Sequence, residues 1–283
     1  MAFSLVNLLV MKRVLILCFL ALAIAVVSCK KNKEEADPAS DTSDNSFNLF
    51  SLEDDKALGL QVSQQIESDS SDYNVMDTAL HASSYSHLNR IVNTILESGE
   101  VAHKDDFVWR VRLIEDDSTL NAFCTPGGYI YVFTGLIKYL ESEDQLAGVI
   151  GHEIAHADRR HSTDQLSKQY GYSLLFSVLL GDQSALGQVV QGVISLKYSR
   201  GAETEADEYS VRYLCPTSYN AAGGAGFFEK IEASGGSSTP EFLSTHPSPE
   251  NRIPTFYDWQ NTLGCDGTDI NTDLYQDFKN SLP

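Results

Sequence analysis

His152 and His156 stand four residues apart with Glu153 between them, in His152-Glu153-Ile154-Ala155-His156. On a helix four residues make about one turn, so both imidazoles leave one face and can grip a single metal ion. Glu153 is then within reach of a water on that ion and is basic enough to take its proton. The same five residues also fit a polar stripe on the wet face of an amphipathic helix, so a third ligand has to decide. One known arrangement needs Gly three and His six residues past the second histidine; here those places hold Arg159 and Ser162, which excludes it. His161, five residues past His156, points to a different part of the helix and reads as structural. A carboxylate ligand is offered by Glu203, 47 residues after His156, in Glu203-Thr204-Glu205-Ala206-Asp207. Glu203 and Asp207 are one turn apart, so one face presents a ligand and, behind it, an acid that can accept the outer N–H of a ligating imidazole. Glu205 points elsewhere, toward solvent. Without the histidines this cluster would read as an acidic surface turn. Three protein ligands leave the fourth position of one Zn²⁺ per chain open to water.

Several elements must position these groups. Ser51 to Asp54 form a helix start, followed by Leu58, Leu60, Val62 and Ile66 on an apolar face. A second helix is expected from Tyr85 to Leu96, and alternation from Phe107 to Ile114 predicts a strand. Asn121 to Thr125 and Tyr129 to Phe133 read as a hairpin turned at Pro126-Gly127-Gly128. Ser142 to Gln145 has the capping-box pattern, opening the helix that carries His152 and His156. A further helix begins near Ser199 and carries Glu203. Between them, Leu174 to Leu180 and Val189 to Leu196 are apolar runs too short to cross a bilayer, which leaves core packing or a membrane-facing hairpin. His246 lies in the proline-rich loop Ser244 to Pro249 and Arg252 follows six residues later. His246 can steady a developing oxyanion or swing in as a fourth ligand and silence the centre, and Arg252 is a second oxyanion donor. Both also read as plain loop structure.

The 283 residues carry a formal net charge of −19, which argues against nucleic acid as a partner. Lys12 and Arg13 precede an apolar run, Val14 to Val27, that ends in Ser28-Cys29. This resembles a bacterial lipoprotein signal over residues 1–28, with lipid on Cys29 and either Met1 or Met11 as the start. Residues 29–50 then read as a solvated acidic tether. The Lys-Glu-Glu cluster after Cys29 resembles the surface-export tag of some Bacteroidetes lipoproteins, or is merely part of that linker. These features imply a bacterial cell-envelope protein held at the membrane, on the periplasmic or surface face of the outer membrane. Of the remaining cysteines, Cys215 with Cys265 is the expected disulfide, because Cys124 sits in an apolar strand-like run.

Asn121-Ala122-Phe123, Pro126-Gly127-Gly128, Thr134-Gly135-Leu136, Gly151 to His156, Arg160-His161, Ser199-Arg200, Glu203, Ala206-Asp207 and Thr245-His246-Pro247 occur in one order. This resembles the HtpX/Oma-type zinc metalloendopeptidases, metallopeptidase family forty-eight, over about Leu52 to Trp259. The resemblance implies a predominantly helical α+β fold, a single zincin-like domain over residues 51–265 with a small sheet bordering the cleft, and residues 266–283 as a tail. It implies His152, His156 and Glu203 as metal ligands and Glu153 as base. It also implies that Tyr129, Ile130, Tyr131 and Val132 pair with an extended polypeptide substrate. The transmembrane helices of HtpX and the prenyl proteases are missing, so prenylated-peptide processing is not expected. The substrates expected are misfolded or unassembled envelope proteins. The rivals are a latent zinc-binding chaperone or adaptor, and an interaction lipoprotein that docks an envelope complex through its acidic surface.

Overall fold

The computed structural model describes residues 49–68, 73–234, 240–249 and 251–283. The leader, Cys29 and nearly all of the expected tether lie outside them. Helix α1 (Leu52–Ser68) starts from a reciprocal cap: Asp54 N–H donates to Ser51 Oγ (3.1 Å) and Ser51 N–H to Asp54 Oδ2 (2.9 Å). Leu58, Val62 and Ile66 are buried at four-residue spacing, whereas Leu60 falls between them and is 41% exposed. Helix α2 (Ala82–Leu96) buries Leu88, Ile91, Val92 and Ile95. Strand β1 is only Arg110–Ile114, because Trp109 has φ 46°, a left-handed conformation that ends the extended run begun at Phe107. Strands β2 (Ala122–Thr125) and β3 (Tyr129–Phe133) form the expected hairpin, turned at Gly127 and Gly128, both at positive φ.

The strand order is β1-β3-β2, with β3 parallel to β1 and antiparallel to β2. This corrects the expectation for Tyr129 to Val132. Strand β3 is central and hydrogen-bonded along both edges, so its backbone has no edge for a substrate strand. The edge strand beside the histidine helix is β2. Alternation along β3 divides the interior: Ile130 and Val132 enter the larger core, and Tyr129, Tyr131 and Phe133 enter a second core with α1.

The rest is helical: α3 (Thr134–Tyr139), α4 (Glu143–Asp158), α5 (His161–Tyr170), α6 (Tyr172–Leu179), α7 (Gln183–Ile194), α8 (Arg200–Leu214), α9 (Ala225–Ala233), α10 (Glu241–Thr245), α11 (Arg252–Leu263) and α12 (Thr272–Asn280). The fold is thus predominantly helical α+β with a small three-stranded mixed sheet. Of α4, every residue except Gln145 is buried. It lies close against α8 because Gly151 has no side chain; a Cβ there would sit 3.1 Å from Ser210 Oγ. Ser210 Oγ in turn donates to the Gly148 carbonyl (2.8 Å). The capping box expected at Ser142 does not form. Its hydroxyl bonds Asp144 (2.5 Å), and Glu143 is held by Arg90 and by Tyr219 Oη (2.6 Å).

The segment 266–283 is not a tail. Tyr275 and Phe278 of α12 are fully buried, Tyr275 Oη donates to the Ile137 carbonyl (2.7 Å), and Ser84 Oγ donates to the Ser281 carbonyl (2.7 Å). The Cys215–Cys265 disulfide is formed, tying α8 to the residues that lead into α12, and Cys124 is a buried free thiol.

Candidate metal centre

Helices α4 and α8 bring the ligand candidates together. His152 Nε2 and His156 Nε2 lie 3.0 Å apart, and Glu203 places Oε2 3.6 Å from the first and Oε1 3.4 Å from the second. An ion held tetrahedrally by bonds of about 2.0–2.1 Å separates its ligand atoms by roughly 3.3 Å, and these three separations bracket that value. His246 completes a group of four buried side chains whose ligand atoms lie within 4.8 Å of one another.

The chemistry of the cavity also fits a cation. Both carboxylate oxygens of Glu153, Oε1 of Glu203 and Nε2 of His246 are buried with no hydrogen-bond partner. Burial pushes the Glu153 and Glu203 carboxyls well above the usual range, against the pull of Arg252. Burial, with the neighbouring imidazoles, pushes His156 well below its ordinary value. A set of orphaned donors this dry is unfavourable alone, and a dication reverses the penalty on each member. His152, His156 and Glu203 are the residues that would hold it.

Each imidazole is oriented from behind. His152 Nδ1–H donates to Asp207 Oδ1 (2.8 Å), which leaves Nε2 with its lone pair facing inward. Burial opposes charge on Asp207, but Arg252 and the His152 bond overcome it and hold its carboxyl below the usual range. Arg252 Nη2 donates to Asp207 (2.7 Å) and to Glu203 Oε2 (3.2 Å), and its guanidinium lies 4.0 Å over the Phe228 ring. That places the Nη2 donor expected for an oxyanion behind the ligands, engaged with two carboxylates.

For His156 the structure supplies a support that the sequence did not suggest. His161 Nε2–H donates to Glu205 (3.2 Å), so its Nδ1 can accept from His156 Nδ1–H (3.0 Å). The His161 bond, with Arg159 on the other oxygen at 2.8 Å, holds the Glu205 carboxyl down at about 2. His161→Ala is expected to weaken zinc affinity by about 10–100-fold, the usual cost of losing such a support. Glu205→Ala should do the same to a smaller degree, both read by competition with a chelating dye. Unchanged affinity in a folded His161→Ala protein would make His161 merely structural.

Tyr198 was also missed. Its ring stacks on His156 at 3.7 Å, its hydroxyl bonds Ser162 (3.0 Å), and its N–H donates to the Thr245 carbonyl (3.3 Å). The last bond ties the residues before α8 to the loop that carries His246. Together with Phe242, stacked 4.1 Å from His246, these segments seal the centre; His152, Glu153, His156, Glu203 and His246 are all at most 2% exposed. His246 Nδ1–H donates to the Phe242 carbonyl (3.2 Å), so Nε2 presents a lone pair, 3.4 Å from Glu153 Oε1.

The sequence profile of Peptidase family M48 matches residues 82–260. The chain is 34% identical over 155 residues to the mitochondrial metalloendopeptidase OMA1 of Arabidopsis thaliana, covering 53% of this chain and 31% of that protein. It is 28% identical over 219 residues to the OMA1 of Schizosaccharomyces pombe, covering 75% and 63%. With a putative beta-barrel assembly-enhancing protease of Vibrio cholerae it shares 32% identity over 153 residues, covering 48% and 32%. The chain thus spans less than two thirds of the length of each of these relatives. The profile covers more than half of the chain and encloses every side chain of the buried centre, and this protein belongs to peptidase family M48.

Proposed function

We propose that this chain is a zinc-dependent metalloendopeptidase of the bacterial cell envelope, held at the membrane by lipid on Cys29, that hydrolyses extended, misfolded or unassembled envelope proteins. The observation that carries the peptidase reading is Glu153, fully buried, with both oxygens unpartnered beside the inward Nε2 atoms of His152 and His156. Zinc, when bound, supplies Lewis acidity toward a water and toward a scissile carbonyl. Glu153 takes the proton from the attacking water and delivers it to the leaving amine. Asp207 and His161 keep the two imidazoles in the tautomer that turns Nε2 inward, and Arg252 fixes Asp207 and Glu203. An extended substrate enters after the His246 loop and the Tyr198 segment part, and its strand-pairing edge is β2 rather than β3.

The envelope and the unassembled-protein substrate draw on the leader pattern and on relatives named for beta-barrel assembly. A latent chaperone or adaptor is the second reading, and one observation favours it: His246 Nε2 sits with the three ligands in the closed arrangement, where it can act as a fourth. The test is casein cleavage by the zinc-loaded chain. Cleavage that vanishes on chelation and returns with about one zinc per chain is the expected result. Zinc without cleavage, released by His246→Ala, would identify the latent form; zinc without cleavage in both would overturn the peptidase reading.

A further inference from the structure

In a chain of net charge −19, the 28 residues from 169 to 196 hold a single charged side chain, Asp182. That charge is spent locally, since Asp182 Oδ1 accepts from Ser184 N–H (2.9 Å) and Ala185 N–H (3.1 Å) to cap α7. These residues build α6 and α7, two helices bent by 119° about a short break. Their inner faces are core: Leu175, Val178, Leu186 and Val189 are buried with α1 and the sheet. The outer side is different. Leu180 at the apex is 89% exposed and Phe176, one turn earlier, is 39% exposed. The exposed positions of α7 are Gln183, Ser184, Gly187, Gln188 and Gln191, none of them charged.

We propose that the apex of the α6–α7 hairpin inserts into the lipid headgroup boundary and seats the domain on a bilayer. This deepens the membrane reading above and rests in part on lipid at Cys29. Neither helix can span: at 1.5 Å per residue they are about 12 and 18 Å long, against roughly 30 Å of hydrocarbon. A tilted apolar apex flanked by uncharged amides fits the interface, where no charge has to be stripped of water. A membrane rather than a protein partner is indicated by where the chain enters the domain. The described structure begins at Leu49, half exposed, and the Phe50 ring stacks on Phe176 (4.7 Å) and Tyr172 (5.7 Å) of α6. The segment that leads back to Cys29 therefore joins the domain at this hairpin. The 20 residue steps from Cys29 to Leu49 reach at most about 70 Å. In a chain this acidic, a hairpin whose one charged side chain is Asp182 offers little to repel an anionic leaflet.

The test uses the full chain, expressed in bacteria and reconstituted into vesicles of plain or brominated phosphatidylcholine. Leu180→Trp adds a fluorophore at the apex, and Leu80→Trp adds one at a position 82% exposed and outside the hairpin. Mass spectrometry of the Cys29 peptide reports the lipid separately, so the anchor and the hairpin can fail independently. The expected result is that brominated lipid quenches most of the emission added at 180 and little of that added at 80. Emission at 180 that is unquenched overturns the proposal whether or not Cys29 is lipidated. A blue shift at 180 without bromine quenching also overturns it, and would assign the apex to a protein partner. Quenching at 180 in a chain whose Cys29 carries no lipid would uphold the hairpin and remove the anchor.

Discussion

A chain carrying Glu153→Gln is expected to bind zinc as the wild type does and to lose casein cleavage by about 10³-fold, within the range usual for a general base. The substitution keeps the size and polarity of the side chain and removes only its basicity. Glu153 is not among the four grouped ligand side chains, so metal content should not change. Nor should folding. Burial pushes the Glu153 carboxyl well up and so favours its uncharged form in the metal-free protein, and the amide is a close mimic of that form. The melting temperature of the metal-free variant should equal or exceed that of the wild type. His152→Ala gives the contrast, losing metal and cleavage together. Undiminished cleavage by Glu153→Gln would mean that some other group handles the proton. Loss of zinc along with cleavage would mean that Glu153 is itself a ligand and that the Glu203 assignment is wrong.

The parts of this centre that were legible are those one helix or one turn of helix encodes. His152 and His156, or Glu203 and Asp207, share a face by period alone, and the structure places Asp207 behind His152. His161 was misjudged for a specific reason. Counting five residues past His156 assumes one continuous helix, but α4 ends at Asp158, and Arg160 has φ 62°, which turns the chain and starts α5 at His161. Helical period does not survive such a break, so the His156–His161–Glu205 chain could not be read by counting. The position of β3 was misjudged because alternation says which residues form a strand and not which strands are neighbours. A better signal was present, since Tyr129 to Phe133 is apolar on both faces, the mark of a strand covered on both sides. The last helix does carry a sequence signal: Tyr275, Phe278 and Leu282 recur at helical spacing, and all three are buried. Arg252 was a candidate, but its bonds to Glu203 and Asp207 and the stacking of Tyr198 on His156 join segments far apart along the chain, and no local pattern announces them.

Zinc is expected to stabilise this protein more as pH rises from 6 to 8, tightening by about tenfold per pH unit for each proton released on binding. The signs follow from the direction of each shift. Without metal, burial raises the Glu203 and Glu153 carboxyls, so the folded state binds their protons more tightly than the unfolded chain does. Their stabilising effect is complete at acid pH and drains away as pH climbs toward the raised values, at up to about 1.4 kcal/mol per unit for each group. The imidazoles work in the other direction. Burial lowers His152, His156 and His246, so their effect is complete above the ordinary histidine range and is lost as pH falls through it. Asp207, held low by Arg252, matters only in stronger acid. The metal-free protein should therefore be most stable near neutrality and weaken on both sides. A dication needs ionised Glu203 and neutral imidazoles; burial already favours the neutral imidazoles, so the ligand that must give up a proton is Glu203, and binding is favoured as pH rises. Melting curves with and without zinc at pH 6, 7 and 8 should diverge steadily, and calorimetry in buffers of different ionisation enthalpy should detect proton release on binding. Glu203→Gln, which has no proton to release there, should bind zinc weakly and with a flatter pH dependence. A zinc affinity that does not vary over this range would mean that Glu203 is already ionised without metal, in a cavity that is open and wet rather than sealed by the His246 loop and Tyr198.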